Sequence, residues 1–308
     1  MIGRVTHQTV QKSSLANLQL NLSKMADLQG RMSGGKVITK PSDDPGGTAN
    51  ALQLRSEKRA AEQYARNIDD GTGWLTTVDS ALQTSLASLR KARDLTVQGA
   101  NSGTMNALTR EAIATELEGI RDSLLAQANT SYLGRSVFAG TSSAAAAFTD
   151  ASGVPPYEPA PTGAGTVERR IAPDTTVRVD ADGAAIFGVG AWDAGGPGTG
   201  GSVFALIDTI ASELRSGGDV GGRLTDIDTR MTAMLGELAD VGARAGTLDA
   251  AKSANEKTVM DLKGMISAVE DIDLAEVIVE LQTQEISYQA ALGATSRVLQ
   301  PSLMDFLR

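Results

Sequence analysis

Cysteine is absent from the 308-residue chain, and histidine occurs only once, as His7. Without thiols the chain cannot form disulfide bonds, use a thiolate nucleophile or build a cysteine-ligated zinc site. A single imidazole makes the metalloprotease pattern H-E-x-x-H impossible and leaves any Ser-His-Asp triad dependent on His7. Because aromatic residues are only 4% of the chain, aliphatic side chains must form most of its core. We therefore predict that the chain is not an enzyme and holds no metal or cofactor.

An excess of basic residues and long apolar runs are also missing. The chain has 28 basic and 37 acidic residues, for a formal net charge of -9, which disfavours a phosphate-binding surface and a nucleic-acid partner. No apolar run approaches the ~20 residues that a membrane-spanning helix requires. Residues 1–8 have neither the apolar centre nor the cleavage site of a secretory signal peptide. We expect no nucleic-acid partner, no membrane span and no cleaved leader.

Helical periodicity dominates the first 140 residues. An apolar stripe with steps of three and four predicts an amphipathic helix that ends at the glycine pair 34–35. Residues 41–45, Pro-Ser-Asp-Asp-Pro, are a helix-start signal, with N-cap candidates followed by a proline suited to the first helical position. This second helix is expected to end near Asp70, at a break formed by Gly71 and Gly73. The first stripe consists of Leu15, Leu18, Leu22, Met25, Leu28 and Met32, and the first five are predicted to lie in a subunit interface.

Two further helical patterns extend to Ala128, and a segment of different composition follows them. Residues 141–201 contain six of the nine prolines and eleven of the 33 glycines, which excludes long helices there. Stretches rich in Ala, Ser and Gly bound this segment, so we expect that residues 145–200 can be excised without loss of cooperative melting. Alternating runs predict short strands at 166–171, 175–179 and 184–189.

The clearest pattern is a heptad repeat from Leu224 to Val269. Apolar residues occupy its seam except at Lys252 and Asn255, where polar side chains can fix the register of a coiled coil. At ~1.5 Å per residue, this segment would form a helix roughly 69 Å long. The register fails at residues 270–273, where we predict a joint. A last apolar stripe comprises Leu274, Ile278, Leu281, Tyr288, Leu292, Leu299, Leu303 and Phe306.

The two ends of the chain carry opposite charges. Residues 1–40 contain six basic side chains and one acidic, and residues 269–308 contain seven acidic and two basic. Such helices suit pairing with each other or with other copies, so we predict a subunit interface that is loosely paired or disordered until assembly. The expected fold is mainly α. Its predicted domains are paired terminal helices of an inner assembly domain (1–40 and 270–308), a helical rod (41–140 and 202–269) and a small β-rich outer insert (141–201).

Three short motifs are better explained without a ligand. Residues 30–36 match the G-x-x-x-x-G-K pattern of phosphate-binding loops, but Val37 stands where Ser or Thr would hold magnesium, and a helix precedes the motif. Residues 43–44, both Asp, are predicted to cap a helix. Residues 180–183, Asp-Ala-Asp-Gly, lack the other ligands of a calcium loop and predict a tight turn. We expect His7 to be exposed.

Longer motifs resemble those of flagellin-like proteins. Residues 33–47, SGGKVITKPSDDPGG, are similar to the segment that follows the first helix of that family. The likeness continues at 63–71, 93–101 and 137–141 and returns at 288–292 and 301–307, so that it covers the first 140 and last 80 residues. The residues assigned to the family motifs are Pro41, Ser42, Asp43, Asp44, Pro45, Asn67 and Asn101.

Within the flagellin family, the segments 41–45, 138–141 and 301–307 resemble the hook-associated protein of the hook–filament junction more than filament flagellin. The resemblance implies a non-catalytic, extracellular structural subunit of the bacterial flagellum, exported by the flagellar type III pathway. It implies as partners the first hook-associated protein, flagellin, further copies in a ring, and an export chaperone with the type III apparatus. An extra residue or two at the start leaves the register of the export segment open.

Two other interpretations stay open. A filament flagellin carries similar motifs, and it would form long filaments and be made in great excess. An exported adhesin would bind a surface through residues 141–201. Labelled antibody on intact flagella separates the junction protein from a filament flagellin, because the signal would lie either at one point near the hook or along the filament.

Overall fold

The computed structural model describes residues 7–101, 106–142, 144, 146–149, 165–190 and 201–299. Within these ranges the chain is mainly α-helical, as predicted, with two small two-stranded sheets. The helices are α1 (His7–Gly34), α2 (Pro45–Ala100), α3 (Ala107–Ala128), α4 (Gly183–Phe187), α5 (Val203–Ser216), α6 (Arg223–Glu270) and α7 (Leu274–Leu299). The strands are β1 (Ser131–Tyr132), β2 (Arg135–Ser136), β3 (Glu168–Ala172) and β4 (Thr175–Arg178).

The chain divides into two compact units. The core unit consists of residues 61–257, and the terminal unit consists of residues 1–60 and 258–308, as far as these are described. The helices α2 and α6 each contribute residues to both units. The large hydrophobic cluster belongs to the core unit, and the pairing of α1 with α7 belongs to the terminal unit.

Apolar stripes from several helices meet in the core unit. The helical pattern that ends at Ala128 forms α3. Its apolar residues Ile113, Leu117, Ile120, Leu124 and Ala128 are all buried, and α5 packs against α3. Phe187 lies at the centre of an aromatic cluster, with its ring centroid 5.3 Å from that of Phe138 and 5.7 Å from those of Phe148 and Phe204. Four of the five phenylalanines of the chain therefore meet in one place.

The predicted break at Gly71 and Gly73 is wrong, because α2 continues through both residues. A Cβ atom on Gly73 would lie 2.5 Å from the hydroxyl oxygen of Tyr132, and one on Gly71 would lie 3.2 Å from side-chain atoms of Leu248 and Val179. The two glycines allow neighbouring elements to approach the helix closely, a use of glycine that does not require the helix to end.

The described part of the insert contains two of the three strands that were predicted, and they form a hairpin. β3 and β4 pair antiparallel, with Glu168 opposite Arg178, in agreement with the strands expected at 166–171 and 175–179. The carboxylate of buried Asp180 accepts a hydrogen bond from Nε of Arg178 at 3.0 Å. This charged contact fixes the chain as it leaves β4.

The strand predicted at 184–189 is wrong, because residues 183–187 form the short helix α4. The carboxylate of Asp182 accepts hydrogen bonds from the amides of Ala184 at 3.0 Å and Ala185 at 3.2 Å. Asp182 is therefore an N-cap, which explains the acidic residue there without a calcium ion.

The insert and the helices share one hydrophobic cluster. Phe148, Val177 and Phe187 are buried in it together with Phe204 of α5. This corrects the expectation that few contacts connect residues 145–200 with the helices. Because these buried residues of the insert complete the core of the helices, the two parts are expected to unfold together.

The heptad repeat is confirmed as a continuous helix, α6. A heptad repeat has two seam positions, and four residues at one of them are buried in the core unit. Ile227, Met234, Val241 and Leu248 are at most 1% exposed. The two polar residues that interrupt the seam follow these four residues along α6 and also lie in the core unit. There Lys252 Nζ contacts Asp69 Oδ1 at 2.8 Å, and Asn255 Nδ2 donates to the carbonyl of Ala61 at 3.0 Å.

Candidate assembly interface at the terminal helices

A short joint separates α6 from α7, where the sequence predicted one. α6 ends at Glu270 and α7 begins at Leu274. The carboxylate of Asp273 accepts hydrogen bonds from the amides of Ala275 at 2.9 Å and Glu276 at 3.3 Å. Asp273 therefore caps α7, and its negative charge is favourable beside the N-terminal end of a helix.

The segment that follows α1 pairs with this joint. The amide of Val37 donates to the carbonyl of Glu270 at 2.7 Å, and the amide of Ile272 donates to the carbonyl of Gly35 at 3.2 Å. Gly35 has a φ of +66°, a left-handed conformation that glycine adopts without strain at the end of a helix. These bonds hold the end of α1 beside the start of α7.

Glu270 is a buried charge at the same place. Its side chain is 5% exposed, and Oε2 contacts Lys36 Nζ at 2.8 Å and Arg55 Nη2 at 2.6 Å. The hydrogen bond from Lys36 lowers the pKa of the Glu270 carboxyl, which burial alone would raise, and Arg55 lowers it further. One carboxylate thus ties together the segment after α1, the helix α2 and the end of α6.

Glu270→Gln is expected to destabilise this junction by about 1–2 kcal/mol at neutral pH, a range that allows for solvent screening of the half-exposed cations. The lowered pKa means that the stabilisation is present above the ordinary carboxyl pKa and is lost as the pH falls through the lower folded value. Amide hydrogen exchange at Val37 and Ile272 should therefore be roughly 5- to 30-fold faster in the variant at pH 7.

The difference should shrink as the pH falls below the ordinary carboxyl range, because the native carboxyl then becomes protonated and neutral like the glutamine. Glu276→Gln is the matched control, because Glu276 is exposed and forms no ion pair with another described residue. Equal exchange rates in Glu270→Gln and the native protein at pH 7 would contradict the prediction.

Asp43 organises the turn between α1 and α2. Its Oδ2 atom accepts hydrogen bonds from the hydroxyl of Thr39 and the amide of Lys40, both at 2.8 Å. The bond from Thr39 lowers the pKa of Asp43. Pro41 and Ser42 are exposed within this turn.

Asp44 caps α2, as predicted, whereas Asp43, which was also predicted to cap a helix, bonds to residues of the preceding turn instead. The Oδ1 atom of Asp44 accepts a hydrogen bond from the amide of Gly47 at 2.9 Å, and Pro45 is the first helical residue. Both carboxylates of the pair contact the protein itself, so this family motif builds a turn and a helix start.

The two motif asparagines also contact main-chain carbonyls. Asn67 Nδ2 donates to the carbonyl of Arg170 at 2.8 Å and so connects α2 to β3. Asn101 Nδ2 donates to the carbonyl of Val97 at 3.1 Å, just after the end of α2. Neither residue lies in the terminal unit.

α1 and α7 pack against each other in antiparallel directions. Their less exposed residues recur at steps of three and four on each helix, as in a coiled-coil seam. Of the predicted interface residues, this contact face contains Leu18, Met25, Leu28, Leu281 and Tyr288.

The face through which α1 and α7 contact each other also contains polar residues, which a pattern of apolar residues does not predict. The side chain of Gln284 donates to the carbonyl of Asn21 at 3.3 Å, and Ser14 is half-buried. The most buried residue of α7 among those described is Val277, which no apolar stripe singled out. Val277 lies three residues after the start of α7, and the cap at Asp273 determines where that start is.

The other predicted interface residues are exposed in the single chain or lie outside the described residues. Those that are exposed, by fractions between 37% and 56%, are Leu15, Leu22, Leu274, Ile278 and Leu292. Val279 and Ile286 of α7, which belong to neither predicted stripe, are more exposed still, at 62% and 68%. The side chain of Leu299, and all of Leu303 and Phe306, lie outside the described residues.

An open groove of about 440 Å³ lies between the start of α2 and the end of α6 in the terminal unit. Leu54, Met265, Ala268 and Val269 form its apolar walls. Across the described ranges, no group of three or more acidic or histidine side chains could hold a metal ion. None of the helices in those ranges is long and apolar enough to cross a bilayer.

Comparison with known proteins finds flagellar relatives. Residues 5–143 match the family model of the bacterial flagellin N-terminal helical region. Flagellar hook-associated protein 3 of Salmonella typhimurium is 26% identical over 307 residues, which cover 94% of this chain and 94% of the relative. Flagellin of Bacillus subtilis is 29% identical over 45% of this chain and 46% of its own length.

Solved structures share the fold. A Vibrio parahaemolyticus protein described as flagellar hook-associated is 25% identical, with a TM-score of 0.66 over 74% of this chain and 100% of its own. Flagellar hook-associated protein-3 of Legionella pneumophila, at 14% identity, has a TM-score of 0.60 over 71% of this chain and 98% of its own. The second match supports the fold alone.

The chain consists of long helices with paired ends, and its N-terminal region matches the flagellin model, so it is similar to the flagellin-like proteins. Its predicted resemblance to the flagellin-like hook-associated proteins is confirmed. The match to hook-associated protein 3 extends over almost the whole chain, whereas the match to flagellin covers less than half of it.

Proposed function

We propose that this chain is a structural subunit of the bacterial flagellum, the adapter that joins the hook to the flagellin filament. The observation that carries the proposal is the end-to-end similarity to a hook-associated protein. A filament flagellin is a weaker alternative, because the flagellin match is restricted to part of the chain. An adhesin that binds through residues 141–201 is disfavoured, since Phe148, Val177 and Phe187 of that segment are buried in the core and are not available to a surface.

The proposed subunit interface is the outer surface of the terminal helices. Exposed Leu15 and Leu22 of α1, with Leu274, Ile278 and Leu292 of α7, are the apolar residues that neighbouring subunits would cover. Large apolar side chains left exposed on the same helices are typical of an interaction site. The proposed partners are the first hook-associated protein on the hook side, flagellin on the filament side and further copies of the chain in a ring.

The proposed location is extracellular, at the hook–filament junction. Export would use the flagellar type III apparatus and a chaperone and would not involve cleavage of a leader peptide. The proposed role is mechanical and involves no catalysis, because it rests on helix packing and needs neither a nucleophile nor a cofactor. A purified preparation with turnover that one Asp or Glu substitution removes would contradict this part of the proposal.

Immunogold labelling of intact flagella tests the proposal. Antibody against this protein should give signal at one point near the hook, while antibody against flagellin labels the filament along its length. A strain that lacks the protein should keep its hooks and release unattached flagellin into the medium. Signal along the whole filament would support the flagellin alternative, and signal on the cell surface without flagella would support the adhesin.

A further inference from the structure

The turn between β1 and β2 carries an exposed leucine in a strained conformation. Leu133 is 81% exposed, more than any other large apolar side chain of the described residues. Its φ is +49°, and within the described ranges no other residue except glycine has a positive φ. A residue with a Cβ atom is unfavourable in this left-handed region, because the Cβ atom comes close to the following carbonyl oxygen. Leu133 therefore combines backbone strain with an exposed apolar side chain.

The type of turn shows which residue would fit position 133 better. Tyr132 pairs with Arg135 across the hairpin, so that Leu133 and Gly134 form a two-residue turn, and both have a positive φ. This is the pattern of a type I′ turn, for which Asn-Gly is a strongly preferred sequence. Asparagine would tolerate the left-handed conformation and would be polar, as suits an exposed turn. Neither the turn geometry nor the exposure to solvent explains a leucine there.

The hairpin that presents Leu133 is anchored to α2. Tyr132 packs on the buried ring of Trp74, with the two ring centroids 5.7 Å apart. At the base of the hairpin, the amide of Val137 donates to the carbonyl of Thr130 at 3.1 Å. A side chain on such an anchored hairpin loses less freedom on binding than one on a mobile loop, and this favours affinity.

An arginine without an acidic partner lies two residues from the leucine. The guanidinium carbon of Arg135 lies 5.7 Å from the ring centroid of Trp74. That of Arg169 lies over the same ring at 5.6 Å, but the charge of Arg169 is balanced by Asp70, whose Oδ2 is 2.5 Å from Nε. Arg135 is exposed and forms no ion pair with another described residue. A guanidinium that lies over a ring keeps its N–H groups available to a carboxylate.

These features together favour a contact with a protein. An exposed leucine alone needs no explanation, but strained residues persist mainly at sites where function retains them. A lipid bilayer is a poor partner, because binding to it scales with the buried apolar area and one leucine offers little. The net charge of -9 disfavours nucleic acid. A leucine beside an unpaired arginine instead matches a protein pocket that is apolar inside and acidic at its rim.

We propose that Leu133 and Arg135 form a contact point for a different protein of the flagellum, one with an apolar pocket the size of a leucine side chain and a carboxylate at the rim of that pocket. Leu133 enters the pocket, and the guanidinium of Arg135 binds the carboxylate. Copies of the chain are proposed to meet through their terminal helices, so the hairpin of the core unit remains open to this second kind of partner. The inference rests on the proposed function and adds a contact outside the terminal unit.

Leu133→Asn separates the contact from stability. Because it relieves the strain, it should raise the melting temperature of the core unit by about 2–4 °C. Two probes report the contact: hooks isolated from a strain that lacks this protein, which are sedimented with the variant, and flagellin, which is added afterwards to the loaded hooks. Either the binding of the variant to the hooks or the growth of filaments on them should fall at least about tenfold. A residue that only supported the fold would not lose function while stability rises.

Three further variants test the chemistry of the contact. Leu133→Met keeps an apolar side chain and should behave like the native protein toward both probes. Arg135→Gln removes the charge and should weaken the same step as Leu133→Asn. Leu108→Asn is the matched control, because Leu108 is 78% exposed in the first turn of α3, and it should leave both steps unchanged.

Three results would overturn the contact proposal. They are normal hook binding and filament growth with Leu133→Asn, a lower melting temperature of that variant, or a loss limited to self-association in sedimentation velocity, which would make a second copy the partner. In each case the native protein still binds hooks and is labelled at the junction, so the proposed function stands. A native protein that binds neither probe and is labelled elsewhere in the cell would refute the proposed function itself.

Discussion

Excision of residues 145–200, with a short linker in their place, is expected to abolish cooperative thermal unfolding of the core unit. The segment removed contains the buried side chains Phe148, Val167, Ile171, Val177, Val179, Ile186 and Phe187. Loss of one large buried side chain costs about 2–5 kcal/mol, and the whole stability of a domain is about 5–15 kcal/mol. The remaining helices would be left with an exposed apolar surface and a broad, non-cooperative melt in circular dichroism and calorimetry.

Phe187→Ala isolates the same effect in one residue. Phe187 is fully buried against three other aromatic rings, so the variant is expected to lose about 3–5 kcal/mol of unfolding free energy in denaturant titration. Leu235→Ala is the control, because that side chain is 44% exposed, and it should change stability by less than about 0.5 kcal/mol. A sharp native-like melt of the excised protein would show that the helices form a core without the insert.

Truncation after Glu270 is expected to abolish incorporation at the junction while leaving the core unit intact. The hydrophobic cluster contains no residue of α7, so the main melting transition should shift by less than about 2 °C. The truncation removes all of α7. It therefore removes both the residues that contact α1, such as Leu281, and the exposed apolar residues, such as Ile286. α1 then lacks its partner, and a lone amphipathic helix is only marginally stable in water.

Two measurements check the truncation. Calorimetry of the purified protein reports the core unit, and immunogold labelling with a soft-agar motility assay reports incorporation. Detection of the truncated protein in the culture medium would show that it is still exported. Normal motility, or a melting temperature many degrees lower, would contradict the prediction.

Local signals in the sequence located most of the fold. The start of α2 at Pro45, the end of α1 and the joint before Leu274 were predictable because caps and glycines act within a few residues. The helix α5 carries an apolar pattern with steps of three and four after Ser202, a signal of the same local kind that the prediction did not use. The role of Gly71 and Gly73 was predicted wrongly, since it depends on residues far away in sequence.

The interface was predictable as a pair of helices but not residue by residue. The apolar stripe of α1 contains both Leu18 in the contact and Leu15 outside it, because steps of three and four allow two adjacent stripes on one helix. On α7 the contact uses polar residues such as Gln284, whereas exposed Ile286 is apolar. Hydrophobicity alone therefore could not separate the side that pairs within the chain from the side left open.

The glycines of α2 bear on protein engineering. Glycine-to-alanine substitution inside a helix is a standard route to thermostability, with a gain of about 0.5–1 kcal/mol where the site is open. At Gly73, where a Cβ atom would lie 2.5 Å from the hydroxyl oxygen of Tyr132, and at Gly99, where it would lie 2.6 Å from Leu214, the neighbouring side chain would have to move. A stabilised variant should instead start from open helical sites such as Gly242 and Gly246, which have no atom near enough to obstruct a methyl group.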